Sequence, residues 1–278
     1  MTDPTTGTLR VDGATLRYEV RGHGPLLLLI PGGTGGAASL AEVADDLAAA
    51  YTVATYDPRG MGGSALDDPE AEQSVAEHAE DAFRLLELLS PGEPARVFGA
   101  SSGGIAALHL LATHPGRVLR AVVHEPPVVM VLPDAAEHRR LLARVDESFR
   151  AEGLMPAMAV FAAGLRLRGA EDAPQPQPEL PPQAAARTEQ TLAGLPYFVG
   201  RIVPAFMSYV PDLARLEALS DQLVLAAGQD SPGELTHRPA AHLATRFGKE
   251  LALFPGGHIG LTTHSEQFTE HLHQTLRT

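Results

Sequence analysis

Ser101 lies in Gly99-Ala100-Ser101-Ser102-Gly103, a G-x-S-x-G pattern. A serine hydroxyl attacks a carbonyl carbon only when a base takes its proton and an acid orients that base. The pattern follows an apolar stretch of strand character, Ala95 to Gly99, and opens one of helical character, Gly103 to Thr113. A sharp strand-to-helix turn of this kind lifts the serine out of a sheet, and small neighbours let the chain segments close up behind it. The free N–H groups at the start of the helix then face the place where negative charge develops. A glycine–serine turn with no chemistry would not need a strand before it and a helix behind it.

The base is sought among twelve histidines. His258 stands in Phe254-Pro255-Gly256-Gly257-His258-Ile259-Gly260, a bendable loop after the last expected strand. Others, such as His78, His138 and His271, fall on expected helices and read as solvated. The acid is favoured at Asp230, just beyond the strand Leu223 to Ala227. Parallel sheets put their ligand-binding residues at such carboxyl ends. An aspartate there could equally cap a turn. Glu125, which follows the strand Val118 to Val123, competes for the role, and Glu234 is a weaker rival.

An oxyanion needs preorganised donors. Ser102 should supply one backbone N–H, and Gly33 a second, with Thr34 next in line. Gly33 and Thr34 lie in the loop Pro31-Gly32-Gly33-Thr34-Gly35-Gly36. That loop lacks both G-K-[ST] and G-x-G-x-x-G, so a phosphate-cradling role has no support.

The elements that must position these residues alternate along the chain. Leu9 to Val11 and Thr15 to Val20 flank Asp12-Gly13, a tight-turn pair that predicts a hairpin. Leu26 to Ile30 is a continuous apolar run suited to a strand buried on both faces. A helix over 40–50, a strand over 51–56 and an amphipathic helix over 74–89 follow. Helices near 233–247 and 265–276 flank the strand 251–254. Repeated strand–helix units predict a mostly parallel sheet with helices on both faces. The stretch from Pro126 to about Leu213 breaks the rhythm with helical pieces, such as Ala135 to Ala151, and a proline-rich piece, Ala173 to Pro182. It reads as a helical cap, 126–213, inserted into a core of 1–125 and 214–278. A separate small domain is the alternative.

Four segments, in order, resemble the α/β-hydrolase family: Pro31-Gly32-Gly33, Asp57-Pro58-Arg59-Gly60-Met61-Gly62-Gly63-Ser64, Gly99 to Gly103, and Gly257-His258. The resemblance implies an eight-stranded, mostly parallel sheet with a cap after the sixth strand. It also implies that the Asp57–Ser64 turn shapes the floor of the site. The chain departs from many relatives in having Pro31-Gly32 where they have His-Gly. Family branches that open epoxides or displace halide use aspartate as nucleophile, and Ser101 excludes that route.

Thr34, Met130, Phe161, Phe198 and Phe206 are the expected pocket residues, with Met155, Met158, Met207, Tyr197 and Tyr209 as further apolar surface. Adaptable methionines and aromatic rings suit a small molecule, although most of these side chains could simply be the cap's own core. The expected reaction is hydrolysis of a medium-sized apolar or aromatic ester, lactone or related acyl compound. The same triad could instead cleave carbon–carbon bonds, make peracids or close rings, and a ligand-binding homologue without turnover is the reading of another class. No metal cluster or cofactor fingerprint is present in the sequence, and no cofactor is expected.

Apolar residues make up 44% of the 278 and the formal charge is −13. That composition supports a globular core. A surface this acidic repels phosphate backbones and anionic membranes, so neither nucleic acid nor a membrane is expected as partner; a homodimer stays open. The chain has no cysteine, which excludes thiolate chemistry and fits a reducing cytoplasm. Met1 to Gly7 shows no basic start followed by an apolar stretch, so no signal peptide is expected.

Overall fold

The computed structural model describes residues 4–165 and 188–277. The proline-rich piece 173–182 lies outside them. Among the described residues, nine strands form one sheet: β1 (Thr5–Val11), β2 (Ala14–Arg21), β3 (Leu26–Ile30), β4 (Thr52–Tyr56), β5 (Ala65–Leu66), β6 (Ala95–Ala100), β7 (Val118–His124), β8 (Leu223–Gly228) and β9 (Ala252–Phe254). Their order is β1-β2-β4-β3-β6-β7-β8-β9, with the two-residue β5 paired beside β2. From β4 through β9 along this path every pairing is parallel, and β2 runs antiparallel to β1, β4 and β5. The eight-stranded path matches the sequence reading; β5 is too short to show in a residue pattern.

β3 shows why the central strands read as unbroken apolar runs. Leu26, Leu28 and Ile30 pack into one buried cluster, while Leu27 and Leu29 pack into the cluster on the opposite face. Successive side chains of a strand point to opposite faces, so a strand covered on both sides must be apolar at every position. Each such side chain contributes about 1.5–3 kcal/mol by leaving water. The helices Val75–Leu89, Ser102–Thr113 and His237–Arg246 supply residues to the first cluster. Ala41–Leu47 and Ser265–Arg277 supply the second. Ser74 starts its helix by accepting the Glu77 N–H at 3.2 Å, and its hydroxyl donates to the Glu77 carboxylate at 2.7 Å. The first bond satisfies an N–H that the helix start leaves open, and the second holds the capping side chain in place.

Between β7 and β8 the described chain is helical, with no strand. It runs through Ala135–Glu152, Leu154–Leu165, Thr188–Tyr197, a π-helical turn Phe198–Ile202, and Val203–Met207. Ile202 and Phe206 are buried in the same cluster as Leu28 and Ile30.

The Asp57–Ser64 turn ties these parts together. The Asp57 carboxylate accepts the Ala37 N–H at 2.8 Å and the Gly63 N–H at 2.9 Å. Arg59 is buried and grips Asp81 with two hydrogen bonds, at 2.7 and 2.6 Å. Such a fork-to-fork pair fixes orientation as well as charge. Tyr197 donates to the Arg59 carbonyl at 3.0 Å, so the helical segment is anchored on this turn.

Two histidines read as solvated are in fact buried. His78 is buried against Phe206, with Nε2 3.1 Å from Gln73 Oε1, and His138 is buried beside Asp134. A period-3.6 pattern locates a helix face but gives histidine no side, because its ring suits both water and a core. Burial, helped by nearby Arg59, lowers the His78 pKa from 6.5 to about 3. In that pH interval the unfolded chain takes up a proton that the folded chain refuses, so stability falls as pH drops from 6.5 toward 3. His78→Gln should therefore lose less melting temperature than the wild type between about pH 7 and about pH 5, measured by circular dichroism. An equal loss in both proteins would contradict this role.

Candidate active site

Ser101 sits between the end of β6 and the helix Ser102–Thr113 with φ 52° and ψ −121°. A left-handed φ is uncommon for a residue with a side chain and marks a position that its surroundings hold in place. Its N–H donates to the His124 carbonyl at 2.9 Å, and Gly104 N–H returns to the Ser101 carbonyl at the same distance. A Cβ on Gly103 would stand 2.4 Å from the Ile30 and Pro31 carbonyl oxygens, so the helix reaches β3 this closely only through glycine.

Ser101 and His258 both line a cavity of about 440 Å³ at the carboxyl ends of the strands. His258 lies in the loop between β9 and the short helix Gly260–Thr263. Its Nδ1 is 2.7 Å from Glu125 Oε2. This contact is a correction to the expected partner: the carboxylate against the imidazole is Glu125 and not the favoured Asp230. Asp230 is exposed, and its backbone N–H is used on the Gly256 carbonyl at 3.0 Å. The chain turns after β8 so that the following residue, Ser231, points inward.

Glu125 is fully buried and has φ 45°. Among the described residues, it and Ser101 are the non-glycine residues with left-handed φ. Four donors surround its carboxylate. Oε1 accepts from Gly228 N–H at 2.9 Å and from the Ser231 hydroxyl. Oε2 accepts from the Thr236 hydroxyl at 2.8 Å as well as from His258. Burial alone would raise its pKa, but the bonds from His258, Ser231 and Gly228 outweigh burial and bring it down to about 2. The group is thus a carboxylate at neutral pH. With Nδ1–H given to that carboxylate, the imidazole keeps its Nε2 lone pair as a base. Ser231 and Thr236 escaped the sequence reading. The one available signal was a pair of hydroxyl residues just after a strand, which is a common feature of turns.

The rest of the cavity wall is mostly apolar, with hydroxyl residues such as Ser39 and Thr191 as its polar part. Thr34, Phe161, Phe198 and Phe206 line it as expected, and Met207 and Ile202 join them. Met130 lies elsewhere, packed with the cluster of Leu132 and Leu142. Met155 is 75% exposed and Met158 packs near Val145. Tyr197 and Tyr209 are tied up by the Arg59 carbonyl and by His109. Among the described lining residues, His258 is the one ionisable side chain. Gly33, expected as an oxyanion donor, gives its N–H to the Ser102 hydroxyl at 3.0 Å.

Glu125→Gln should lower kcat/KM by about three orders of magnitude or more, because the amide no longer holds the productive tautomer. Asp230→Asn should stay within about twofold of wild type in the same ester assay. The reverse ranking would restore Asp230.

Comparisons with known proteins agree with this architecture. A profile described as alpha/beta hydrolase fold matches residues 25–152. The uncharacterized hydrolase YraK of Bacillus subtilis (strain 168) is 34% identical over 276 residues, covering 97% of this chain and 95% of its own. Zearalenone hydrolase of Bionectria ochroleuca is 27% identical, with 96% and 95% covered. Among solved structures, a hydrolase from Pseudomonas aeruginosa PA01 superimposes with a TM-score of 0.74 at 24% identity, covering 98% of each chain. The enol-lactonase from Burkholderia xenovorans LB400 gives 0.71 at 18% identity, covering 98% of this chain and 100% of its own.

Proposed function

The chain belongs to the alpha/beta hydrolase fold family, and on that premise we propose that it hydrolyses a neutral apolar or aromatic ester or lactone through Ser101, His258 and Glu125. The observation that carries the reading is the His258–Glu125 bond at a cavity that also exposes Ser101. That the chain is a hydrolase follows from its relatives, while the substrate class and the roles of the residues are inferred from geometry.

His258 Nε2 takes the Ser101 proton as the serine oxygen attacks the carbonyl carbon. Charge moves onto the carbonyl oxygen, which faces the Ser102 N–H at the start of its helix. Glu125 stabilises the imidazolium that forms. His258 then returns the proton to the leaving alcohol as the C–O bond breaks, leaving an acyl-enzyme. Water deprotonated by His258 attacks that ester, and its collapse frees the acid and restores Ser101.

The lining supports an uncharged substrate. A carboxylate entering this cavity would meet Phe161, Phe198 and Phe206 and no cationic side chain among the described residues. Leaving a charge unpaired in such a setting is costly. The helical segment between β7 and β8 would act as a cap, because Phe198, Ile202 and Met207 close the cavity from its side. The kinship to a zearalenone hydrolase is in keeping with a sizeable apolar substrate.

Ser101→Ala should cut turnover of p-nitrophenyl butyrate by about four orders of magnitude with the melting temperature preserved. Wild-type enzyme should prefer that ester over the anionic p-nitrophenyl hemisuccinate by about tenfold or more in kcat/KM. Undiminished turnover in Ser101→Ala would end the assignment, and a preference for the anion would end the substrate class.

A further inference from the structure

The donor expected to meet the oxyanion from the glycine loop is already engaged inside the protein. Gly33 N–H points at Ser102 Oγ, 3.0 Å away. Gly33 has φ +59°, a left-handed conformation that glycine adopts at no steric cost. Ser102 is buried at 9% exposure, yet it lines the same cavity as Ser101 and His258. On the residue next to the nucleophile, its hydroxyl thus accepts from Gly33 with one lone pair and keeps its own proton to give.

We propose that the Ser102 hydroxyl is a catalytic donor to the oxyanion, adding to the backbone N–H of the same residue. The proposal rests on the serine-hydrolase reading above. A hydroxyl that accepts an N–H bond becomes a better donor, since linked hydrogen bonds polarise one another. The Gly33 N–H thus acts on the oxyanion through the Ser102 hydroxyl, and one residue supplies two donors, its backbone N–H and its side-chain O–H. No proton is transferred: Ser102 keeps its hydrogen and the oxyanion gains a hydrogen bond as charge builds on it. Such a donor strengthens most in the transition state, so its removal should lower kcat and leave KM nearly unchanged. The arrangement also offsets what the Pro31-Gly32 loop entrance lacks, namely the backbone N–H that a non-proline residue would carry at position 31.

The test compares Ser102→Ala and Ser102→Thr with wild type on p-nitrophenyl butyrate. Ser102→Ala should lose about 10²-fold in kcat with KM within about twofold. Ser102→Thr keeps the hydroxyl and should recover most of that loss. An unchanged or faster kcat in Ser102→Ala would overturn the proposal, because the hydroxyl would then merely be occupying the Gly33 N–H. A rise in KM alone would overturn it too. Labelling with a fluorophosphonate separates this from failure of the parent reading. If wild type is not labelled at Ser101, or Ser101→Ala keeps full turnover, the Ser101 nucleophile reading falls and this proposal with it. If wild type is labelled and Ser101→Ala is inert, an unchanged Ser102→Ala removes only the role of the hydroxyl.

Discussion

A carboxylate sealed from water must be satisfied by the protein, and Glu125 is satisfied by four donors from four places in the chain. They are the end of β8, the loop residues Ser231 and Thr236, and His258 after β9. Removing the hydration of one carboxylate without such partners would cost several kcal/mol. Hydrogen bonds to a charged group return about 1.5–3 kcal/mol each. The last third of the fold is therefore arranged around one side chain of β7's exit. Its backbone is held as firmly: Glu125 N–H binds the Ala226 carbonyl at 2.9 Å while φ stays left-handed.

The parallel sheet makes that arrangement coincide with the nucleophile. β6 and β7 are neighbours in register, with Ala100 opposite His124. Ser101 and Glu125 are each the first residue past a strand end, and the Ser101 N–H is bound by the residue preceding Glu125. Two strained positions on adjacent strands thus share a single scaffold. Strain at both is a cost that the packed strands beneath can absorb. β8 and β9 then bring the Glu125 donors and His258 to the same edge, and the helical segment after β7 covers it with apolar side chains.

Ser101 and His258 were legible in the sequence because their local settings, a strand-to-helix turn and a glycine loop after a final strand, are short and specific. The strands were legible because burial on both faces leaves unbroken apolar runs such as Leu26–Ile30. The acid was not. Asp230 and Glu125 both follow a strand, and the choice depends on how the chain turns after β8, which is set by a backbone bond from Asp230 to Gly256 rather than by side-chain type. Ser231 and Thr236 were invisible for the same reason: their partner is distant in sequence. Among the pocket residues, Phe161, Phe198 and Phe206 reach the cavity and Met130 does not, because apolar side chains in a helical segment carry no mark of which side they cover.

The account is thus one of a buried carboxylate that fixes an imidazole beside a strained serine, at a cavity walled by Phe161, Phe198 and Phe206. Proton NMR of protein labelled with ¹⁵N at histidine observes that central bond directly. The Nδ1–H of His258 should give a strongly low-field resonance in wild type and in Asp230→Asn, and that resonance should vanish or move far upfield in Glu125→Gln. Its loss in Asp230→Asn together with its persistence in Glu125→Gln would contradict the account.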